Sequence, residues 1–359
     1  MNPPYADRTT WTPPAHEHIR PFIWRGKDIE AEIARLLDAD PVEGRRSVRV
    51  AHAETGPEAG ASPGIGVVVS ALRPGEADVP HRHTFSVINF IREGHGHSIV
   101  DGRRFDWGPG DVFTTPGWAE HHHQADPDSP PVVRFSFTDR PLLEKLGVSF
   151  YGEASGDGER GQPMLSDGDP TAAPAPPEGI KIDESGAQLL TYKQMIAPKI
   201  TSNVPMIWKW EQVRPELFAM DNDSPEYAGR RVVMLYHPAT GVSQGTIATL
   251  TAIPGIIVPG EVHSIHRHSS VAITYMRSGR GHSTVAGERY EWEAGDMVIT
   301  PAWSTHGHAN DGDETVLGLT VHDVPLLYNA GALLWQEVLD EELAVLGKTG
   351  SMSATSADS

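Results

Sequence analysis

The sequence predicts an all-β protein made of two copies of one domain with a few short helices, and three observations predict it. Glycine and proline are abundant, 36 and 30 of 359 residues, which suits many short strands joined by turns better than a helical bundle. Runs rich in β-branched and aromatic residues are broken by turn signals such as "DGRR", "GPGD", "AGER" and "EAGD". Most decisively, residues 74–123 align without a gap on residues 259–308, and 23 of the 50 positions are identical, which marks a duplication. The identities are turn glycines and prolines, Trp107/Trp292, Trp118/Trp303 and histidines. Farther on, Asp139, Pro141, Leu142 and Leu143 match Asp323, Pro325, Leu326 and Leu327, so both copies end alike.

Taken in order, residues 1–60 form an N-terminal lead-in containing the helical pattern "KDIEAEIARLLDAD". Residues 61–151 are the first domain. Residues 152–190 form a linker, because "GEASGDGERGQPMLSDGDPTAAPAPPEG" is rich in Gly, Pro, Asp and Ala and poor in apolar residues. Residues 191–345 are the second domain, where "PEYAGRRVVML" is a more mixed lead-in, and residues 346–359 read as a disordered tail.

Composition narrows the function. A net charge of −19 argues against a nucleic-acid surface, which needs clustered Lys and Arg. With no cysteine, any metal must be held by His, Asp or Glu. Neither a signal-like N-terminus nor an apolar run of about 18 residues is found, so the expectation is a cytoplasmic protein with small-molecule partners and no membrane.

The histidines supply the chemistry. In "VPHRHTFSVINFI", His81 and His83 lie two apart in a strand-like run, so both side chains point to one face. A later strand ends in "TPGW", and His121 follows three residues past that Trp; the second copy repeats the set as His266, His268 and His306. Three imidazoles suit Fe, Mn, Zn, Ni or Cu and leave coordination positions open for substrate and dioxygen.

The spacing G-x5-HxH followed by G-x5-P-x-W-x2-H resembles the two motifs of the cupin superfamily, which implies a bicupin of two double-stranded β-helix (jelly-roll) barrels. The glutamate most metal-binding cupins carry after the HxH pair is replaced by Val87/Ile88 and Ala272/Ile273, which counts against oxalate decarboxylase or oxidase chemistry. Further segments, among them "RRVVMLYHPATG", "GDMVITPAWSTHGHANDGDE", "RFDWGPGDVFTTPGW" and "VRFSFTDRPLLEKLG", resemble the bicupin ring-cleaving dioxygenases that act on gentisate, salicylate and 1-hydroxy-2-naphthoate. The second half is similar to that family's catalytic N-terminal cupin and the first half to its C-terminal one.

The resemblance implies an Fe(II) ion in each barrel (Mn or another divalent metal being possible), a small aromatic substrate, dioxygen and a homo-oligomer. It implies proton transfer by His308 and, by symmetry, His123, and places Arg231 near the substrate. Trp118 and Trp303 are candidates to border the substrate or, the reading favoured here, to plug the barrel core. It breaks at the carboxylate clamp. The family's arginine eight residues past the first ligand is Asn89 here and Thr274 in the other half, an expected glutamine is Gly255, and an expected aspartate is Thr320. Losing a charge-assisted contact predicts that gentisate is a poor substrate and an uncharged phenol a better one, unless Arg231 or another arginine takes over the clamp. Two alternatives stay open: another metal-dependent cupin enzyme, such as an isomerase or a non-aromatic dioxygenase, and a metal-binding cupin without turnover.

Overall fold

A computed structural model describes residues 19–153, 179–193, 204–220 and 229–346, apart from gaps at 43, 55, 57–59, 183–186, 338 and 340–342. Most of the expected linker and all but the first residue of the expected tail lie outside the described residues. No described helix is long and apolar enough to cross a membrane.

Each half forms a jelly-roll barrel. In the first, a six-stranded sheet (Ile207–Trp208, Val112–Thr115, Val87–Glu93, Val132–Thr138, Gly66–Leu72, Ser47–Val50) faces a five-stranded one (Tyr151–Glu153, His81–His83, His121–Ala125, Gly96–Val100, Arg103–Trp107). The second barrel repeats the six-stranded sheet as Phe22–Trp24, Met297–Thr300, Ala272–Ser278, Val316–His322, Thr251–Ile257 and Arg231–Val232. Its other face is split between Glu288–Glu293, Arg280–Val285 and His306–Asn310 on one side and Arg267–His268, Leu333–Gln336 and Ala344–Leu346 on the other. Strand alternation turns one side chain in two inward.

The barrels exchange arms. Phe22–Trp24, from the first lead-in, pairs antiparallel with Met297–Ile299 of the second barrel, and Ile207–Trp208, from the second half, pairs with Val112–Phe113 of the first. Each arm runs into a helix whose start is held by the other barrel's "GD" turn. Asp296 accepts from the Gly26 backbone N–H and from Arg25, opening helix Gly26–Asp38. Asp111 does the same for Trp210 N–H and Lys209 at the start of helix Trp210–Ala219. Both carboxylates are buried and satisfy helix-start N–H groups that otherwise lack partners. The first of these helices fulfils the pattern read in the sequence, burying Ile29, Ile33 and Leu36; the second lies upstream of the segment "PEYAGRRVVML", which holds the short strand Arg231–Val232 instead.

One hydrophobic cluster runs through both barrels. Phe90 and its repeat equivalent Tyr275 meet at 5.8 Å between ring centroids, and Phe135 packs edge-on to Tyr275 at 4.8 Å. The two barrels therefore share a core, and the lead-in segments belong to both.

Candidate metal centres and the cavities they face

The pairing of the strands assembles the triads. His81 sits opposite His121 and His266 opposite His306, while His83 and His268 follow two residues along on the same inward face. The ring centroids of His81–His121, His83–His121 and His81–His83 are 4.3, 4.7 and 5.6 Å apart; the second triad gives 4.1, 4.7 and 5.5 Å. In each triad one nitrogen from every ring lies within 4.8 Å of the others, the reach of a single ion. The six side chains expected to ligate metal are buried and converge three by three.

Their tautomers follow from their hydrogen bonds. Nδ1 of every ligand faces a backbone carbonyl two residues away: Val79 (2.8 Å), Phe85 (2.7 Å) and Ala119 (2.8 Å) in the first triad, Ser264 (3.3 Å), Ser270 (3.0 Å) and Ser304 (2.8 Å) in the second. A carbonyl only accepts, so Nδ1 carries the proton and Nε2 offers its lone pair to the metal. Burial keeps the rings neutral. It pushes His81 down to about 4, His83 to about 3, His266 to about 2 and His306 to about 4, with His121 and His268 also well below the ordinary value. Three neutral imidazole nitrogens fit a divalent first-row metal.

The spaces beside the triads differ. The second barrel encloses about 410 Å³, walled by Ile253, Ile256, Met276 and Trp335, the last stacked on His268 at 4.6 Å. The first encloses about 120 Å³ and is lined by Arg45, Asp78, Asn89, Arg134 and Ser136. A dry cavity of about 150 Å³ holds one benzene. The second barrel thus has room for one or two aromatic rings, and the first offers less than a third of that space.

The histidines proposed for proton transfer do face the cavities. Trp292 Nε1–H donates to Ser283 Oγ at 2.9 Å, and that hydroxyl lies 2.8 Å from His308 Nδ1. In the tautomer in which that hydroxyl donates to Nδ1, the His308 proton sits on Nε2. Trp107, Ser98 and His123 repeat the relay at 2.8 and 2.6 Å. Burial holds both rings neutral.

The residues expected at the substrate need correction. Arg231 turns away from the cavity, where its guanidinium pairs with Glu261 at 2.8 Å and donates to the Met220 carbonyl. Neighbouring Arg230, just before the strand, is the arginine that lines the cavity. Its Nη1 pairs with Glu337 at 2.5 Å, while Nε and Nη2 are buried without hydrogen-bond partners. Asn89 lines the first cavity but is tied into the wall, donating to Thr115 and accepting from Ser136. Thr274, Thr320 and Gly255 line the second cavity, with the two hydroxyls 2.9 Å apart. Trp118 and Trp303 are neither core plugs nor cavity walls. Each holds a left-handed backbone (φ 65° and 61°) that carries its ring outside the barrel, over Arg82 and Arg267. Sequence reasoning missed Arg230, Trp335, His263 and His322, all of which line the second cavity.

The molecule is thus a bicupin with two three-histidine centres. The Cupin domain model matches residues 68–136 and 255–322. A 1-hydroxy-2-naphthoate 1,2-dioxygenase from Nocardioides sp. (strain KP7) is 30% identical over 290 residues, covering 79% of this chain and 69% of its own. A 5-aminosalicylate 1,2-dioxygenase from Comamonas sp. is 26% identical over 322 residues, covering 87% of this chain and 80% of its own. In fold, the chain is similar to the salicylate 1,2-dioxygenase from Pseudaminobacter salicylatoxidans, with a TM-score of 0.72, 19% identity and coverage of 93% of this chain and 94% of that one. The chain belongs to the bicupin family of ring-cleaving dioxygenases that act on hydroxylated aromatic compounds, metal-dependent oxidoreductases that add two oxygen atoms.

Proposed function

We propose that the second barrel is the catalytic one and that it opens the ring of an aromatic acid bearing a hydroxyl beside its carboxylate, with Fe(II) held by His266, His268 and His306. The observation that carries this reading is Arg230, whose Nε and Nη2 are buried and unpartnered on the wall of the cavity the triad faces. It replaces the arginine missing at Thr274 and revises the expectation that the substrate lacks a carboxylate. An unpaired buried guanidinium is costly, and a planar carboxylate is its best match. The compounds named for the relatives, 1-hydroxy-2-naphthoate and 5-aminosalicylate, both carry a carboxylate next to a hydroxyl.

The residues divide the work. Arg230 takes the carboxylate and so turns the neighbouring hydroxyl toward the triad. Ile253, Ile256, Met276 and Trp335 bury the ring faces and exclude water. His308 presents its Nε2–H to an oxygen that gains negative charge, stabilising it without supplying a formal charge of its own. The metal, when bound, supplies the Lewis-acid and one-electron chemistry that lets a phenol and dioxygen combine.

Oxygen uptake by Fe(II)-loaded protein tests this. Salicylates, gentisate and 1-hydroxy-2-naphthoate are expected to turn over with an efficiency roughly 100-fold or more above that of uncharged phenols, the loss expected when a buried charge pair is broken. An uncharged phenol as the best substrate would contradict it. The proposal includes self-association: Val232 and Met234, on the open rim of the cavity, and Tyr236 form an exposed apolar row. Light scattering is expected to give a multiple of 39.0 kDa, and a mass near 39.0 kDa contradicts that part.

A further inference from the structure

We propose that the first barrel is a second metal-dependent site, whose ligand is a small carboxylate of two or three carbons. Its triad is complete, and its cavity, about 120 Å³, is less than a third of the 410 Å³ beside the other triad and smaller than the cavity of about 150 Å³ that holds one benzene. What lines that cavity is cationic. Arg134, on strand Val132–Thr138, has a side chain only 12% exposed, and its Nε has no hydrogen-bond partner. Its contact with Asp78, at 3.8 Å, is longer than a hydrogen bond. Arg45 also lines the cavity with a buried, unpartnered Nε. Both line the same cavity as the triad.

The other two arginines on the wall are occupied, Arg46 by Glu76 and Arg140 by Glu144 and the Tyr151 hydroxyl. Asp78 is the single carboxylate lining the cavity, and its Oδ1 is taken by the His123 backbone N–H. Two incompletely paired guanidinium groups against one aspartate leave a positive charge in a small space, even before a divalent ion is added. A small carboxylate supplies acceptors for the free N–H groups and an anion for the metal. The second barrel has Gly318 where the first has Arg134, so this property is private to the first.

The test confines metal to the first barrel with the double variant His268→Ala, His306→Ala, loads it with Co(II), and titrates pyruvate by calorimetry and visible absorption. One Co(II) per chain is expected to remain after desalting. Pyruvate should bind saturably and change the Co(II) spectrum, whereas salicylate should not. Adding Arg134→Gln should raise the pyruvate Kd about tenfold or more with Co(II) content unchanged, the effect of losing one charge-assisted contact. If that variant does not fold, Arg45→Gln is measured in the same way. Absence of Co(II), absence of a pyruvate response, or an unchanged Kd in a folded arginine variant overturns the proposal. Ring cleavage by the second barrel is a separate measurement, so either can fail alone.

Discussion

Two barrels with superposable histidines differ in the wall that faces them. In the first, Asn89, Arg134 and Ser136 stand on adjacent central strands; in the second, the same places hold Thr274, Gly318 and Thr320. The exchange of an arginine for a glycine opens space on that wall, in the direction of the difference between 120 and 410 Å³. The metal-binding half of a cupin site is thus fixed by strand register, while the opposite wall decides what enters. Duplication preserved the first and freed the second to change.

Putting the arginine into the larger cavity should erase the difference. A Cβ at Gly318 already meets Thr274 Cγ2 at 3.3 Å, and the longer side chain of Gly318→Arg would occupy the substrate space. Oxygen uptake is expected to fall by about three orders of magnitude or more with the fold intact by circular dichroism, since a buried overpacking cost of roughly 1–3 kcal/mol is borne by a large domain. Retained activity would show that the wall does not set the difference.

The two cavity arginines sharpen the comparison next. Arg230→Gln should lower kcat/KM for a carboxylated substrate by roughly two to three orders of magnitude, because truncating a buried charge pair costs about 3–5 kcal/mol. It should leave a slow uncharged phenol nearly unaffected. Arg45→Gln, at the matching place in the first barrel, should change neither.

Smaller effects concern what joins the barrels. Asp111→Ala and Asp296→Ala each remove a cap that one barrel lends to the other half's helix, and each should cost about 1–2 kcal/mol by thermal or urea unfolding. A loss from only one of them would break the symmetry of the arm exchange. For pH, burial pushes His263 down to about 4 and His322 to about 3, so both stay neutral when folded and regain ordinary basicity when unfolded. Between about pH 6.5 and 4 the unfolded chain binds more protons, so stability is fully present above pH 6.5 and is lost as pH falls. Asp323, raised to about 6 by burial, opposes this between about pH 6 and 4, because the folded state is then the better proton binder. The histidines outnumber it, and urea midpoints of the metal-free protein should drop on acidification.

Much of this was legible in the sequence. The offset of 185 exposed the duplication, and strand periodicity placed His81 and His83, and likewise His266 and His268, on one inward face. The arm exchange was not legible, because three-residue and two-residue strands such as Phe22–Trp24 and Ile207–Trp208 have no periodicity to read. Arg231 was chosen over Arg230 by resemblance, yet a signal existed. "GRRSV" and "GRRVV" recur at the same offset, and the salt bridge of Arg46 to Glu76 recurs as Arg231 to Glu261, which assigns the second arginine of each pair to the frame and the first to the cavity. Trp118 and Trp303 misled because a repeated tryptophan suggests a core residue. The buried pair is Trp107 and Trp292, which hold the serine relay, and a left-handed backbone cannot be read from the residue that adopts it.

The central claim, that both barrels hold metal and only the second opens the ring, is tested most directly by a matched pair of variants. Iron content and substrate-dependent oxygen uptake should be measured for His83→Ala and His268→Ala, each reconstituted anaerobically with Fe(II). The account predicts that each loses about one of two irons per chain, that His83→Ala keeps turnover within about twofold of the parent protein, and that His268→Ala has none above background. Turnover surviving in His268→Ala, or abolished in a folded His83→Ala, would contradict it.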